Sequence, residues 1–186
     1  MAHLVLSRSF SEVVSYEEAK RHLRLWDDDQ QLYVQSLIDA AVSSAEKYLN
    51  RLIIESTVLV TVDHIDNQLP LGRAKSVEEV SYYLPDGSQH VLDPSAYVFS
   101  KLRNKVLLNT DARAHLRSMG AHSFEVTMVT GWSADEIPAD VKHAVLMLVA
   151  TLFEMREDAT VGQGVMVINV PITHRYLLNK HKVAAV

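Results

Sequence analysis

Hydrophobic residues at helical spacing predict two helices in the first quarter of the chain. Ser15 is followed three residues later by Glu18, which is the capping-box signature of a helix start. From Gln30 to Asn50 apolar residues recur every three or four positions and predict a longer amphipathic helix. The apolar face of this helix consists of Val34, Ile38, Ala41, Val42, Ala45 and Leu49. The run from Asp27 to Asp29 breaks the pattern, and we expect it to cap the second helix.

The middle of the chain changes to β-branched and alternating apolar residues, which predict strands. Pro85-Asp86-Gly87 is a strong turn signal between two of them. The predicted strands are Thr57 to Val62, Val77 to Leu84, His90 to Leu92, a hairpin of Tyr97 to Phe99 with Lys105 to Leu108, and a last strand that ends at Gly131. The residues expected to share one side of that last strand are Phe124, Val126, Met128 and Thr130.

Helical spacing returns after Pro138, a residue that is favoured in the first turn of a helix. The apolar stripe of this helix consists of Val141, Val145, Leu148, Val149, Leu152 and Phe153. Pro171 is expected to open a last short helix that ends near Lys182. Helices followed by an antiparallel sheet and then by further helices define the α+β class. We expect a mostly helical bundle with a small antiparallel β-sheet inserted between the N-terminal and C-terminal helices.

Length and composition favour one domain. The chain has 186 residues, of which 48% are hydrophobic, and we expect a single domain over residues 1–186. Within it we expect a flexible arm over 158–170 and a C-terminal helix or tail over 171–186. The longest apolar run, Ala144 to Phe153, is too short for a membrane span. No signal-peptide pattern occurs near Met1, so we expect a soluble protein that is kept inside a cell.

The sequence carries no recognisable catalytic motif. It has no phosphate-binding loop, no Gly-x-Ser-x-Gly elbow and no His-Glu-x-x-His helix. The absence of cysteine excludes thiolate nucleophiles and thiolate zinc sites. No two of the nine histidines are four residues apart, which leaves open only a metal site that the fold would assemble. We expect no enzyme, and no catalytic, cofactor-binding or metal-binding residues.

The distribution of charge bears on nucleic-acid binding. A formal net charge of −5 argues mildly against a nonspecific grip on DNA. Basic residues nevertheless cluster over 101–117 and from Arg175 to Lys182, either as solvated surfaces or as contacts to an acidic partner or to DNA phosphates. An alternative function is a small DNA-binding or regulatory protein that uses the N-terminal helix pair. Against it, the second predicted helix offers only Lys47 as a basic residue.

Several motifs, in order and spacing, resemble one known family. They are Ser15-Tyr16-Glu17-Glu18-Ala19-Lys20, Ala45-Glu46-Lys47-Tyr48-Leu49, Tyr83-Leu84-Pro85-Asp86-Gly87, Leu92-Asp93-Pro94-Ser95-Ala96-Tyr97, Val129-Thr130-Gly131-Trp132, Ile137-Pro138-Ala139-Asp140-Val141 and Tyr176-Leu177-Leu178. The chain resembles the head-to-tail connector proteins of tailed bacteriophages and prophages, also called head-completion or neck adaptor proteins. The resemblance covers roughly residues 14 to 180 and implies a helical bundle beside a small antiparallel sheet, with no catalysis.

The resemblance also implies an assembly and its partners. It implies a homo-oligomeric ring of about twelve copies beneath the portal protein, with closed rotational symmetry. Such a ring extends the DNA channel after packaging and presents a docking surface to the downstream neck or tail protein. DNA passes through without sequence-specific binding, and no membrane is involved. The implied location is the virion neck at the head-tail junction, after assembly in the cytoplasm of the bacterial host.

Two segments are predicted to mediate these contacts. The first is the arm, where two glycines precede a β-prone apolar run that could pair with the sheet edge of a neighbouring subunit. Its candidate interface residues are Gly162, Gly164, Val165, Val167 and Ile168. The second is the basic tail, which is predicted to dock on the portal. Its candidate residues are Arg175, Tyr176, Lys180 and Lys182.

Overall fold

The computed structural model describes residues 3–10, 12–155 and 173–184. In chain order the elements are β1 (His3–Arg8), α1 (Tyr16–Leu23), α2 (Gln31–Leu49), β2 (Ser56–Val62), β3 (Ala74–Tyr83), β4 (Gln89–Val91), β5 (Tyr97–Ser100), β6 (Lys105–Leu108), α3 (Thr110–Ser118), β7 (His122–Thr130), α4 (Ala139–Glu154) and α5 (Thr173–Asn179). Short 3-10 turns at Pro94–Ala96 and Ala134–Glu136 precede β5 and α4. The predicted α+β class is confirmed.

The chain divides into two compact units, and each is built from separate stretches of sequence. The first, here called the sheet unit, comprises Met1–Ser11, Ile54–Ala134 and Val183–Val186. The second, here called the helical unit, comprises Glu12–Ile53 and Asp135–Lys182. All strands except β1 lie between the N-terminal and C-terminal helices in sequence, as predicted. The single domain over 1–186 stays a prediction.

The helical unit is built around the apolar faces of its helices. The capping box forms at α1, because the Ser15 hydroxyl accepts a hydrogen bond from the Glu18 amide at 3.2 Å, and the Glu18 carboxylate accepts one from the Ser15 amide at 2.8 Å. All six residues predicted for the apolar face of α2 are buried. α2 packs against α4 and α5, so helix packing is what stabilises this long helix. In α4 the predicted stripe is buried at Val141, Val145 and Val149 and half-buried at its other positions.

The sheet unit contains a five-stranded antiparallel sheet in the order β1-β2-β7-β3-β4 and a separate β5–β6 hairpin. Burial alternates strictly along β2 and β7, so every second side chain enters the core. The four residues predicted to share one side of β7 are all buried. β1 and β4 are the edges, and both are mostly exposed.

Two elements and one cap differ from the sequence-based expectations. β1 was not predicted, because an edge strand with one half-buried residue lacks the alternation that marks a strand. α3 was not predicted, because Leu116 is the only residue that it buries. The predicted aspartate cap of α2 is wrong: Gln30 is the N-cap residue, and its side chain accepts no capping hydrogen bond. Asp28 instead accepts a hydrogen bond from the Tyr16 hydroxyl at 2.9 Å and pairs with Lys20.

Candidate assembly surfaces

The structure describes one of the two segments that the sequence predicted as contact sites. The arm over 158–170, with Gly162, Gly164, Val165, Val167 and Ile168, lies outside the described residues, so its interface role stays a prediction. The four candidate residues of the tail lie on α5 and just after it. Tyr176 is 78% exposed, which leaves its ring available to a partner. The three basic residues have intramolecular contacts that place α5 on the helical unit.

Tyr48 of α2 holds the C-terminal helix through its ring and its hydroxyl. The hydroxyl hydrogen-bonds to the Asn179 side-chain oxygen at 2.5 Å. The Lys182 ammonium lies 4.4 Å from the ring centroid, and the Arg175 guanidinium lies 5.8 Å from it. Both distances are within the range of cation–π attraction. Leu178 of α5 is fully buried and anchors the helix by apolar packing.

Asp140 at the start of α4 binds the residues that follow α5. Its carboxylate forms an ion pair with Lys180, and the His181 ring nitrogen lies 3.1 Å from both of its oxygens. Burial by itself would raise the pKa of Asp140, but the hydrogen bonds from Lys180 and His181 outweigh it and hold the pKa below its ordinary value. The basic tail is therefore partly neutralised by α4.

Replacing Asp140 by Asn should loosen α5 at neutral pH. Because the folded state lowers the pKa of Asp140, the ionised carboxylate contributes stability above its ordinary pKa, and this stability is lost as the pH falls through the lowered pKa. Lys180 is largely exposed, so we expect Asp140→Asn to cost only about 1 kcal/mol of α5 docking. Native-state hydrogen exchange of the α5 amides at neutral and acidic pH measures this cost.

The exposed Asp39 of α2 supplies the control. Asp39→Asn should leave α5 protection unchanged at both pH values. In Asp140→Asn, the loss of protection on acidification should be smaller than in the wild-type chain. Equal pH dependence in the wild-type chain and in Asp140→Asn would show that this carboxylate does not hold the tail.

The turn between α1 and α2 and the first turn of α2 each present an apolar side chain to solvent. Trp26 is 97% exposed and Leu32 is 88% exposed, and the aspartate run lies between them in sequence. The turn is nevertheless fixed. Arg24 ends α1 in the left-handed conformation, with φ of 57°. Hydrogen bonds to Asp28 from Lys20 and then Tyr16 also hold the pKa of this carboxyl below its ordinary value. We call Trp26, Asp27, Asp29 and Leu32 the apolar corner.

The turn of the β5–β6 hairpin in the sheet unit also presents an exposed apolar residue. Leu102 is 86% exposed and is flanked by the exposed cations Lys101 and Arg103. Asn104 fixes the turn from inside: it has φ of 53°, is 3% exposed, and accepts a hydrogen bond from the Ala74 amide at 2.8 Å. Its side-chain NH₂ donates to the carbonyls of Leu69 and Gly72, each at 2.9 Å. We call Lys101, Leu102 and Arg103 the hairpin tip.

The remainder of the basic segment 101–117 is partly neutralised. Arg113 of α3 makes two hydrogen bonds to the Asp66 carboxylate, at 2.6 and 2.7 Å. This fork holds the pKa of Asp66 below its ordinary value. The exposed cations that this pair does not neutralise are Lys101, Arg103 and Arg117. The positive charge of this segment is therefore concentrated at the hairpin tip more than its sequence indicates.

The described residues bring no catalytic constellation together. Over residues 3–10, 12–155 and 173–184, no group of three or more histidine, aspartate or glutamate residues could hold a metal ion. An open cavity of about 400 Å³ in the sheet unit is lined by Tyr82, Leu92, Asp93, Asn109, His115 and Leu116 among others. Its open shape and mixed lining favour no particular reaction.

Among the described helices, none is both long and apolar enough to cross a membrane.

The apolar corner and the hairpin tip were not predicted from the sequence. The available signal was an apolar residue beside a run of like charges, as in Trp26 before three aspartates. That signal does not separate an exposed side chain from a buried one, because burial depends on the partner elements. Tryptophan is among the residue types enriched in binding hot spots, so the exposed Trp26 is the stronger of the two signals.

The DNA-binding alternative gains no support from α2. Its apolar face packs against α4 and α5, and its remaining positions include two acidic residues, Asp39 and Glu46, beside the single basic residue Lys47. A helix that enters the major groove needs basic and polar side chains on its outer face. The helix pair at the start of the chain is therefore a packing element of the helical unit.

Comparison with known proteins gives a family match over part of the chain and a fold match over all of it. Residues 14–93 match the model of the phage gp6-like head-tail connector protein family. Comparison with curated proteins finds none that matches this sequence. Among solved structures, a chain from the neck of an empty gene transfer agent (GTA) particle with C6 symmetry has a TM-score of 0.71 and 18% identity, over 100% of this chain and 97% of that chain.

Two further structures share the fold at similar levels. A chain in the virion of a native GTA particle has a TM-score of 0.70 and 17% identity, and a chain in the neck of a native GTA particle with C12 symmetry has a TM-score of 0.70 and 15% identity. Both matches cover 100% of this chain and 97% of the other chain. The fold is therefore shared along the whole chain, while the sequence match is confined to 14–93. Residues 14–93 are therefore similar to the phage gp6-like head-tail connector proteins, a family of structural virion proteins and not of enzymes, and the whole chain shares its fold with chains of GTA particles.

Proposed function

We propose that this chain is a neck adaptor of a tailed phage or a phage-like particle. In this role it forms a ring of about twelve copies, held by one repeated contact between neighbours. The ring joins the portal protein to the downstream neck or tail protein and extends the DNA channel after packaging. The location that follows is the virion neck, with assembly in the cytoplasm of the bacterial host.

Two independent matches, one of fold and one of family, carry the proposal. The fold match covers all of this chain and nearly all of a chain from a GTA neck with C12 symmetry, and the family match over 14–93 is independent of it. A family of connectors and a fold found in particle necks point to the same role. The symmetry of that neck favours a ring of this chain as well.

The charge of the chain fits a channel that DNA must slide through. The net charge of −5 repels phosphates on average, so DNA would be retained weakly by a ring of this chain. The exposed cations of the hairpin tip and the tail are then reserved for protein contacts. The tail residues Arg175, Tyr176, Lys180 and Lys182 stay our proposed portal-docking residues, and Tyr176 adds an exposed aromatic ring to their positive charge.

Assembly of the purified full chain on the portal protein of the same particle tests the function. We expect the mass from light scattering to rise with concentration or on addition of portal, and negative-stain images to show rings with a central hole. The matched control is the chain alone at the same concentration, since some adaptors assemble only on a portal. No ring and no binding in the presence of portal would contradict the adaptor role. A compact dimer that shifts a DNA probe at moderate salt would favour the regulatory alternative.

A further inference from the structure

We propose that the hairpin tip of one copy docks on the apolar corner of a second copy. The inference deepens the proposed function and rests on it, because a ring needs a contact between two different surfaces of the same chain. The two surfaces carry opposite charge and each presents an exposed apolar residue. The hairpin tip of each copy therefore binds the apolar corner of a neighbouring copy.

The apolar corner has the features of a docking site. Trp26 exposes nearly its whole ring, and tryptophan is among the residue types that dominate binding energy when a partner covers them. Leu32, in the first turn of α2, adds a second apolar side chain. Because Asp28 is held by Tyr16 and Lys20, the turn keeps its shape and little conformational entropy is lost on binding.

The charge of the corner is negative. Asp27 and Asp29 are exposed, whereas Asp28 is neutralised by Lys20. Arg24 is the one basic residue between positions 24 and 32, against three aspartates. A partner with an apolar centre and a cationic rim is favoured here, because charges at a rim steer the encounter and fix orientation.

The hairpin tip supplies those features. Leu102 protrudes between Lys101 and Arg103, and no acidic residue occurs between positions 101 and 110. Three side-chain hydrogen bonds of the buried Asn104 hold the turn, so the apolar residue is presented on a rigid support. The tip is apolar and cationic, and the corner is apolar and anionic.

Charge reversal tests the pairing in the full chain. The tip variant carries Lys101→Glu with Arg103→Glu, and the corner variant carries Asp27→Lys with Asp29→Lys. Each variant brings like charges together, and we expect its self-association to weaken about tenfold or more. The two variants mixed in equal amounts should assemble again, because each reversed tip then meets a reversed corner and each native tip meets a native corner. Sedimentation velocity across concentration, alone and with portal, measures both effects.

Matched controls separate this contact from a general effect of charge. Arg73→Glu with Arg117→Glu reverses two exposed cations outside the tip, and Asp39→Lys with Asp135→Lys reverses two exposed acids outside the corner. Both controls should assemble like the wild-type chain. Circular dichroism should show that all variants fold. A second pair, Trp26→Ser and Leu102→Ser, should weaken assembly without changing any charge.

Each outcome separates the contact from the connector role. Self-association that is lost in each variant and restored only when the two are mixed supports the contact, whether or not the chain binds portal. Rings that form equally in every variant would overturn the contact and leave the connector role in place. Normal self-association with lost portal binding would assign the surfaces to portal and overturn the contact. A wild-type chain that stays monomeric both alone and on portal would also overturn it. Recovery in the mixture without any binding to portal would remove the connector role and keep the contact.

Discussion

Gly131→Ala is expected to destabilise the sheet unit more than Gly87→Ala or Gly120→Ala. Gly131 follows β7 with φ of 95°, a conformation that residues with a Cβ rarely adopt. A Cβ there would lie 2.4 Å from the Ile54 carbonyl oxygen and 2.8 Å from the Glu55 nitrogen. Both atoms belong to the backbone, so no side chain can rotate away. The contact and the strained φ together should cost roughly 3–5 kcal/mol.

The close approach exists because two chain segments pair at this point. Ile54 and Trp132 form an isolated parallel bridge, and the Glu55 amide donates a hydrogen bond to the Trp132 carbonyl at 2.9 Å. Adding a Cβ would push these backbones apart and break that bond. The cost therefore arises from lost pairing at the entry to β2 as well as from strain at Gly131.

Urea unfolding followed by tryptophan fluorescence measures the effect. Trp26 is already exposed in the folded chain, so the change in signal reports mainly on Trp132 in the sheet unit. The predicted loss corresponds to a fall of more than about 6 °C in Tm, since 1 kcal/mol shifts Tm by about 2–4 °C for a chain of this size.

Gly87→Ala is the matched control. Gly87 has φ of 84°, but a Cβ there meets no atom within 4 Å. It isolates the cost of the left-handed conformation, which should be about 1 kcal/mol. Equal destabilisation by the two substitutions would show that the contact with Ile54 contributes nothing.

The sequence predicted those elements whose apolar pattern meets a partner in the core. α2 and β7 were predicted at nearly their full length, because every third or fourth residue of one and every second residue of the other is buried. β1 and α3 escaped prediction, since each buries too little surface to leave a periodic pattern. The aspartates before α2 looked like a cap, but Tyr16 and Lys20 compete for Asp28, and tertiary contacts of this kind are invisible in the sequence.

The candidate surfaces were less predictable than the fold. The positive charge of the tail was visible in Arg175, Lys180 and Lys182. The cation–π contacts with Tyr48 and the ion pair with Asp140 depend on the packing of α5 and were not visible in the sequence. Trp26 and Leu102 look like core residues in the sequence, because hydrophobic type alone does not reveal exposure. The family resemblance came from the order of many weak motifs, and the matches over 14–93 and over the whole fold bear it out.

Asn104→Ala should destabilise the sheet unit by roughly 3–4 kcal/mol. The side chain is buried, and its loss leaves the Ala74 amide and the carbonyls of Leu69 and Gly72 without these hydrogen bonds. Buried groups that lose their partner cost about 1–3 kcal/mol each, reduced where the structure relaxes or water enters. Alanine must also adopt the φ of 53°, which asparagine tolerates better.

Asn104→Gly separates the two causes. Glycine accepts the left-handed conformation without strain but cannot replace the hydrogen bonds. We expect it to be less destabilising than Asn104→Ala by about 1 kcal/mol and still to lose about 2–3 kcal/mol against the wild-type chain. Arg103→Ala, at the exposed neighbouring position, should change stability by less than about 0.5 kcal/mol. If Asn104→Gly were as stable as the wild-type chain, the side-chain hydrogen bonds of Asn104 would contribute nothing to the free energy of unfolding.

The variant Asn104→Gly also tests whether the interior of the hairpin affects the proposed contact between copies. The side-chain hydrogen bonds of Asn104 described above go to residues outside the hairpin tip. They fix the turn that presents Leu102. If rigidity of the tip matters, Asn104→Gly should weaken self-association at temperatures where the chain is fully folded, because the ordering cost is then incurred on binding. Sedimentation velocity well below Tm tests this. If Asn104→Gly is measurably destabilised but associates as the wild-type chain does, the rigidity of the tip does not contribute to the affinity between copies.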